Sequence, residues 1–396
     1  MTQNWHDRVW RLGLTTLAVG GTWLDSAALA QITPDDTLGA EGSRVRPNAT
    51  VDGRPADLIE GGATRDINLF HSFQEFNVEE QQRVYFDSPA GIDNIFSRVT
   101  GDNPSNILGT LGVNGLANLF LLNPNGILFG PNASLDVQGS FLATTGNSFL
   151  FENNEVFSAT NPEAPPLLAV SVPLGVQYGA NEPGAITVQG RSTLRVNEAQ
   201  SLILAGGEVV LEDALLAVAL LENGQVVGVD EGGRIDIGAV AGAGTLELTE
   251  TNNLLSLRFP ENLARADVRL TDTTTLDVRA NNGGDIAITA QNIDILEESE
   301  LLAGISEGLG FPDSQAGDIR LNATGAIRMN QESRMSNTVG SNAIGNAGDI
   351  EITTGTLQVS NGSQISASTF GQGDGGRLSI SVRGGRSHRQ RWGWQR

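Results

Sequence analysis

A chain of 396 residues with no Cys, 49 Gly, 5% aromatic residues and a formal net charge of −22 can hold no disulfide, zinc–thiolate or iron–sulfur framework. Charge of that sign repels phosphate backbones, which proteins hold through Lys and Arg, so nucleic acid is not expected as a partner. The length exceeds what one compact core usually serves, which leaves two or three domains or an elongated repeat array.

In chain order, the first element is an export signal over residues 1–30. His6, Arg8 and Arg11 form a short basic region, Leu12 to Leu24 is apolar, and Ala28-Leu29-Ala30 puts small residues where a signal peptidase reads, with cleavage before Gln31. Thirteen apolar residues fall short of the roughly 20 that a helix needs to cross a bilayer. No later stretch is long and apolar enough, so no stable membrane span is expected. There is no Lys in the chain, and all five Trp lie at its ends, at 5, 10, 23, 392 and 394. From Gln31 to Val382 there are 17 Arg against 44 acidic residues.

Residues 59–145 are dense and little repeated. Asn68-Leu-Phe-His-Ser-Phe-Gln-Glu-Phe-Asn-Val78 is followed by Val84-Tyr-Phe86, Asn94-Ile-Phe96 and Leu121-Leu-Asn-Pro-Asn-Gly-Ile-Leu-Phe129. Asn123-Pro124-Asn125-Gly126 reads first as a turn between two apolar strands, because Pro presets φ and Gly tolerates the left-handed region. Phe70, Phe73, Phe76 and Phe86 read as core or cap packing rather than a ligand cage.

Further along the chain repeats. Gly284-Asp285-Ile286, Gly317-Asp318-Ile319, Gly348-Asp349-Ile350 and Gly376-Arg377-Leu378 open successive units of 33, 31 and 28 residues, a period that signals a solenoid. Each opens an alternation of apolar residues at steps of two, with further alternations at Ile293-Asp-Ile295, Ile327-Arg-Met329, Leu357-Gln-Val359 and Ile365-Ser-Ala367. Three short strands per unit joined by Gly, Asn, Asp and Ser describe one coil of a parallel β-helix. Helical repeats would need apolar spacings of three and four. The expected fold is all-β, a right-handed parallel β-helix with an N-terminal capping region. At ~4.8 Å per rung the region from Gln31 to Val382 would make roughly a dozen rungs and a rod about 60 Å long. A β-sandwich array is the competing architecture. Residues 383–396, with five Arg and no acid, break off in mid-alternation. Nothing before them anticipates this basic tail, which reads as truncation or a frame shift and receives no function.

The order of the segments from about Asp36 to Thr145, with Asn123-Pro124-Asn125-Gly126-Ile127 at the expected distance after the Asn68 to Val78 block, resembles the N-terminal secretion domain of the filamentous haemagglutinin family. Its members are the exported partners of two-partner secretion systems. A weaker resemblance, as β-helix repeats, extends to Val382. Where the family often shows a second motif, Asn-Pro-Asn-Leu, this chain has Ser88-Pro89-Ala90-Gly91. The resemblance implies a secretion domain over 31–250 and β-helix repeats over 251–382. It implies recognition in the periplasm by a dedicated outer-membrane barrel transporter, folding outside the cell, and a secreted or surface location. It assigns Asn68, Phe70, Phe73, Phe76, Asn77, Asn123, Pro124, Asn125, Gly126 and Ile127 to the secretion motif. The lack of Cys suits passage through a narrow pore, since no periplasmic disulfide can cross-link the chain, and rungs that need only their neighbours suit vectorial emergence.

Two functions follow from this reading. One is a non-catalytic adhesin or surface protein, or the N-terminal part of one, with a cell-surface glycan or protein as ligand. The other is a β-helix enzyme acting on acidic polysaccharide, which needs a strong base or carboxylates about 5 to 9 Å apart. The chain offers few bases: His71, between Phe70 and Phe73, reads as a packed or capping residue. Asp35-Asp36 and Glu297-Glu298 are acidic pairs, but adjacent strand residues point to opposite faces, so neither makes a convergent dyad without help. An anionic rod also repels an anionic polymer, so the expectation is that the protein is not an enzyme. Gly371-Gln-Gly-Asp-Gly-Gly376 is half of a calcium-binding nonapeptide without the tandem copies that complete a cage, and reads as a Gly-rich corner. No catalytic residue, metal site or cofactor is expected.

Overall fold

A computed structural model describes residues 32–163, 169–218, 220–222, 225–227 and 230–383. The predicted signal with its cleavage residues Ala28, Ala30 and Gln31, and the basic tail beyond Arg383, lie outside the described residues. Within them the chain is a parallel β-helix of three faces. The first face stacks ten parallel strands, from Asn68–Phe76, Asn94–Val99 and Asn118–Leu122 through Phe141–Thr144, Ser201–Gly206, Arg234–Ala239 and Asp285–Ala290 to Ile319–Ala323, Ile350–Thr354 and Leu378–Val382. The other two faces form one continuous sheet that bends at a corner: Val268–Thr271, Ile293–Ile295, Ala326–Met329 and Thr356–Val359 stack on the second face, and Thr275–Asp277, Glu300–Ile305, Arg334–Val339 and Gln364–Thr369 on the third.

The predicted alternation fits the pleat. Ile286, Ile319 and Ile350 lie in register on the first face, Ile293, Ile327 and Leu357 on the second, and Leu301, Met335 and Ile365 on the third. All but Leu357 and Ile365, which pack against its far end, are buried in one core. Within the stack, the backbone edge of each coil pairs with the coils on either side.

The first coil is capped. Ile32–Pro34 and Ala63–Arg65 run antiparallel to Asn68–Phe76 and close its outer edge. The hairpin Ser43–Val51 and Arg54–Gly61 closes the third face. Ten rungs form on the first face rather than a dozen because stretches of the chain leave the helix, among them a separate hairpin of Leu220–Glu222 with Gln225–Val227. Ser148–Leu150, Val156–Ser158 and Gly175–Tyr178 come from one excursion, and Gly244–Thr251 and Leu254–Arg258 from another. Together they build an antiparallel five-stranded sheet against the outside of the first face. That sheet makes a second core, in which Phe149, Phe151, Phe157 and Leu246 cover Phe70, Phe96 and Phe120.

The acidic pairs sit differently from the expectation. Glu297 and Glu298 are not strand neighbours; both have positive φ, 55° and 60°, at the corner between the second and third faces. Asp35 and Asp36 lie in the turn after the first capping strand. Among the described residues no helix is long and apolar enough to cross a membrane, and no group of three or more His, Asp or Glu side chains could hold a metal ion.

Candidate functional site

The residues assigned to the secretion motif fall in the first three coils. Asn68-Leu69-Phe70 opens the first strand of the first face, and the chain repeats the pattern one rung on as Asn94-Ile95-Phe96 and again as Asn118-Leu119-Phe120, all in register. On each rung Asn and Phe point outward while the residue between them enters the inner core. The amides form a ladder. Asn118 Nδ2 donates to Asn94 Oδ1 at 2.9 Å, Asn94 Nδ2 to Asn68 Oδ1 at 2.9 Å, and the Ser140 amide to Asn118 Oδ1 at 2.7 Å. At the other end Asn68 Nδ2 donates to the carbonyls of Ala169 and Ser171, both at 2.8 Å, tying the first rung to the segment that leads into the outer-sheet strand Gly175–Tyr178. The rings form a parallel column, Phe70 on Phe96 at 5.1 Å and Phe96 on Phe120 at 4.5 Å. Phe157 meets Phe70 edge-on at 4.8 Å.

Phe73 and Phe76 lie on the inner side of the same strand. They close the end of the main core with Phe86, at 5.1 Å between Phe73 and Phe76 and 5.8 Å between Phe76 and Phe86. His71 sits among them, fully buried. Its Nδ1 lies 3.0 Å from Ser43 Oγ and its Nε2 has no partner. Burial in this apolar pocket lowers its pKa to about 3, so it is neutral and inaccessible as a base.

Asn77 and Asn123 to Ile127 belong to the corner between the first and second faces. Asn77 Oδ1 accepts the Asn106 amide at 2.9 Å, linking the corners of two coils. Asn123, fully buried, accepts the Asn125 amide at 3.0 Å on its own Oδ1, an Asx turn. Its Nδ2 donates to the Asn103 carbonyl at 3.1 Å and to Ser105 Oγ at 3.0 Å. Asn125 Nδ2 donates to the Gly101 carbonyl at 2.7 Å, and the Pro124 carbonyl accepts the Gly184 amide at 3.0 Å. Gly126, at φ 121°, faces the Ala185 carbonyl so closely that a Cβ there would lie 3.1 Å from it. Ile127 enters the core between Ser105 and Ile186. The motif is thus a corner wedged between the coils on either side. Of its ten residues Asn125 alone is well exposed, and the structure divides the ten among an outer column, an inner end and a corner.

Three further features have no place in the sequence reading. The outer sheet, with Phe149, Phe151 and Phe157, is one. The upper members of the ladder, Asn94 and Asn118, are another; the threefold Asn-Leu/Ile-Phe at 68, 94 and 118 is the signal that could have found them. The third is a polar knot around Arg98, which is fully buried. Its Nε donates to Ser72 Oγ at 2.9 Å and its Nη2 to Thr37 Oγ1 at 2.8 Å. Nη1 also donates to the Ser158 carbonyl at 2.9 Å and Nη2 to the Glu163 carbonyl at 2.7 Å, and the guanidinium lies 4.2 Å from the centre of the Phe157 ring. Asp35 takes hydrogen bonds from Ser72 and Thr100 at 2.7 and 2.6 Å and from Thr37 Oγ1 at 2.6 Å. Burial opposes ionisation of Asp35, yet these hydroxyls hold its pKa below the ordinary value. Burial lowers Arg98 to about 10, which leaves it charged. The knot joins cap, first two rungs and outer sheet.

Comparison with known proteins follows the same region. A heme/hemopexin-binding protein of Haemophilus influenzae is 33% identical over 81 residues, which is 20% of this chain and 9% of that protein. A second Haemophilus influenzae protein of the same description is 30% identical over 88 residues, 22% of this chain and 9% of that protein. The matched part therefore spans under a tenth of the length of these relatives. The crystal structure of the filamentous hemagglutinin secretion domain aligns with 88% of this chain and 99% of its own, at 16% identity and a TM-score of 0.42. That of the HMW1 secretion domain from Haemophilus influenzae covers 86% and 99%, at 16% identity and a TM-score of 0.38. Residues 30–288 match the sequence profile of the TPS secretion domain, well over half of the chain, and the chain belongs to that family, the export domain of two-partner secretion exoproteins.

Proposed function

We propose that residues 31–250 are recognised by a cognate outer-membrane barrel transporter and start the folding of the chain outside the cell, and that residues 251–382 serve as a spacer in a non-catalytic, surface-associated adhesin. The observation that supports this most is the profile match over 30–288, on a helix whose N-terminal end is closed. A capped first rung is a template onto which each later coil adds by pairing with its neighbour alone, which is what delivery through a pore requires. Because Asn68, Phe70, Phe73, Phe76, Asn123 and Ile127 are buried in the folded state, we assign them a role in forming the first coils, with direct transporter contact in that state open to Asn125.

The test is secretion from an outer-membrane-bearing host with and without the cognate transporter, comparing the natural chain with Asn123→Ala and Asn125→Ala. Transporter-dependent appearance outside the cell, lost in Asn123→Ala, is expected. Export without the transporter, or retention in the periplasm in every case, would overturn the reading.

A further inference from the structure

From Val188 onward the corner between the second and third faces is built to one pattern, with one exception. The inner residues that flank it lie six positions apart at Val188 and Leu194, Leu270 and Leu276, Ile295 and Leu301, and Met329 and Met335, but five apart at Leu211 and Leu216. The strand pairing locates the missing residue. Between the pairs Gln189–Glu212 and Ser192–Ala214, Gly190 and Arg191 on one coil face Asp213 alone on the next. Between Glu212–Thr271 and Leu215–Thr275, Asp213 and Ala214 face Asp272, Thr273 and Thr274. In the regular coils a buried hydroxyl, of Ser192, Thr274, Ser299 or Ser333, closes the corner on the carbonyl three residues back at 2.6 or 2.8 Å. Ala214 stands in that place without a hydroxyl, and its amide donates to Thr274 Oγ1 at 3.3 Å.

The short corner is drawn in between two full ones and leaves a notch of about 300 Å³, at the small end of the range for small-molecule sites. Along it run three outward residues in register on the third face, Thr193, Leu215 and Thr275, one rung (~4.8 Å) apart. Leu215 is 36% exposed between the two hydroxyls. Thr273 and Arg191 belong to the full corners on either side. The Arg191 side chain is 84% exposed, and its Nε lies 3.8 Å from Asp213 Oδ2, close enough to attract but too far to hydrogen-bond. The notch therefore presents both charges. A cation would meet Arg191 and an anion would meet Asp213, so neither is favoured. Threonine hydroxyls both donate and accept, which suits a ligand with many neutral hydroxyls, and Leu215 favours an apolar patch on the same molecule. A neutral pyranose has a rim of hydroxyls and a face of C–H groups. We propose that this notch binds one neutral hexose unit of a glycan, its C–H face on Leu215 and its hydroxyls shared among Asp213, Arg191 and the threonines. The site stands on its own geometry; that the glycan belongs to a cell surface rests on the adhesin reading.

The experiment uses the purified full chain, so that no transporter takes part, and measures saturation-transfer NMR on the methyl glycosides of glucose, galactose and mannose, with methyl glucuronide as the charged control. At least one neutral glycoside should bind, and more tightly than the glucuronide. Arg191→Ala and Leu215→Glu should each weaken that binding about ten-fold or more, while the far-ultraviolet β signal persists. If Leu215→Glu disturbs the fold, Arg191→Ala, at a largely exposed side chain, decides alone. No transfer to any of the three neutral sugars, equal transfer to the glucuronide, or unchanged binding in Arg191→Ala would overturn the proposal. Transporter-dependent secretion without sugar binding would overturn this site and leave the export reading standing; sugar binding by a chain that is exported without the transporter would do the reverse.

Discussion

His71 shows how one buried side chain sets a pH response. An imidazole with an ordinary pKa near 6.5 is lowered to about 3 by burial in the native chain. Between those values the unfolded state holds a proton that the native state refuses, so the contribution is fully present above about pH 6.5. It is lost as pH falls through the window, at up to about 1.4 kcal/mol per pH unit. Asp236 acts with the opposite sign. Burial raises it to about 6, only partly offset by its ion pair with Arg234 at 2.7 Å, so the native carboxyl gains stability as it is protonated. The two oppose each other in mildly acidic solution, and a single stability curve would hide both. The prediction is therefore a difference: stability of the natural chain minus that of His71→Leu, from urea titrations, is flat above pH 7 and falls as pH drops from 6.5 to 4. Parallel curves throughout would show that His71 is not held neutral by the fold.

Single elements are stabilised here by ladders of like residues, and ladders differ in sign. In the Asn ladder each amide both gives and accepts, so Asn94→Ala leaves Asn68 Oδ1 and Asn118 Nδ2 without partners and should cost about 1–3 kcal/mol, read as a lower urea midpoint at unchanged slope. The Gly-Asp-Ile repeats build a second ladder, in which Asp285 Oδ1 accepts the Asp318 amide and Asp318 Oδ1 the Asp349 amide, both at 2.7 Å. Here burial and the neighbouring carboxylates Asp285 and Asp349 raise the pKa of Asp318, against the pull of the Asp349 amide and Arg320. Asp318→Asn keeps an acceptor and removes a charge, so it should stabilise the chain at pH 7 by a few tenths of a kcal/mol, and less at high salt; a destabilisation would show that the charge itself is needed. Much of this was legible. The Gly-Asp-Ile spacing marked the coils, and the step of two marked the faces, because inward positions are filled by Ile, Leu, Val, Met, Phe and Ala. The corners were less legible. Asp272 and Thr273, Glu297 and Glu298, and Gln331 and Glu332 adopt left-handed pairs in successive coils, where Asn-Gly would announce a turn and only Asn361-Gly362 does. Stacking supplies what those residues lack by themselves: the Thr273 amide donates to the Glu297 carbonyl and the Glu298 amide to the Gln331 carbonyl, both at 2.8 Å. The outer sheet was not legible at all, since its strands come from two excursions and have no meaning until the helix brings them together. Of the candidate motif the sequence located the corner at Asn123, but not that burial would withdraw most of its side chains from any folded-state partner.

For the molecule as a whole, stability should be graded along the axis. The first coils are covered inside and out, by the main core and by the outer sheet, whereas the last strand is exposed along its length. In a stack whose units touch only their neighbours, opening proceeds from the less protected end. Amide hydrogen exchange should then be slowest in Asn94–Val99 and Asn118–Leu122 and fastest in Leu378–Val382; uniform exchange would mean that the helix opens as one block. The outer sheet also carries a consequence in time. Phe70, Phe96 and Phe120 are laid down early in the chain, but Phe149, Phe151 and Phe157 arrive decades of residues later, and Leu246 and Leu255 later still. Any process that delivers the polypeptide N-terminus first must hold an oily stripe bare until its lid has been paid out. The separation in sequence works as a delay line, and whatever guards the nascent chain has to remain on station until about residue 258 has appeared.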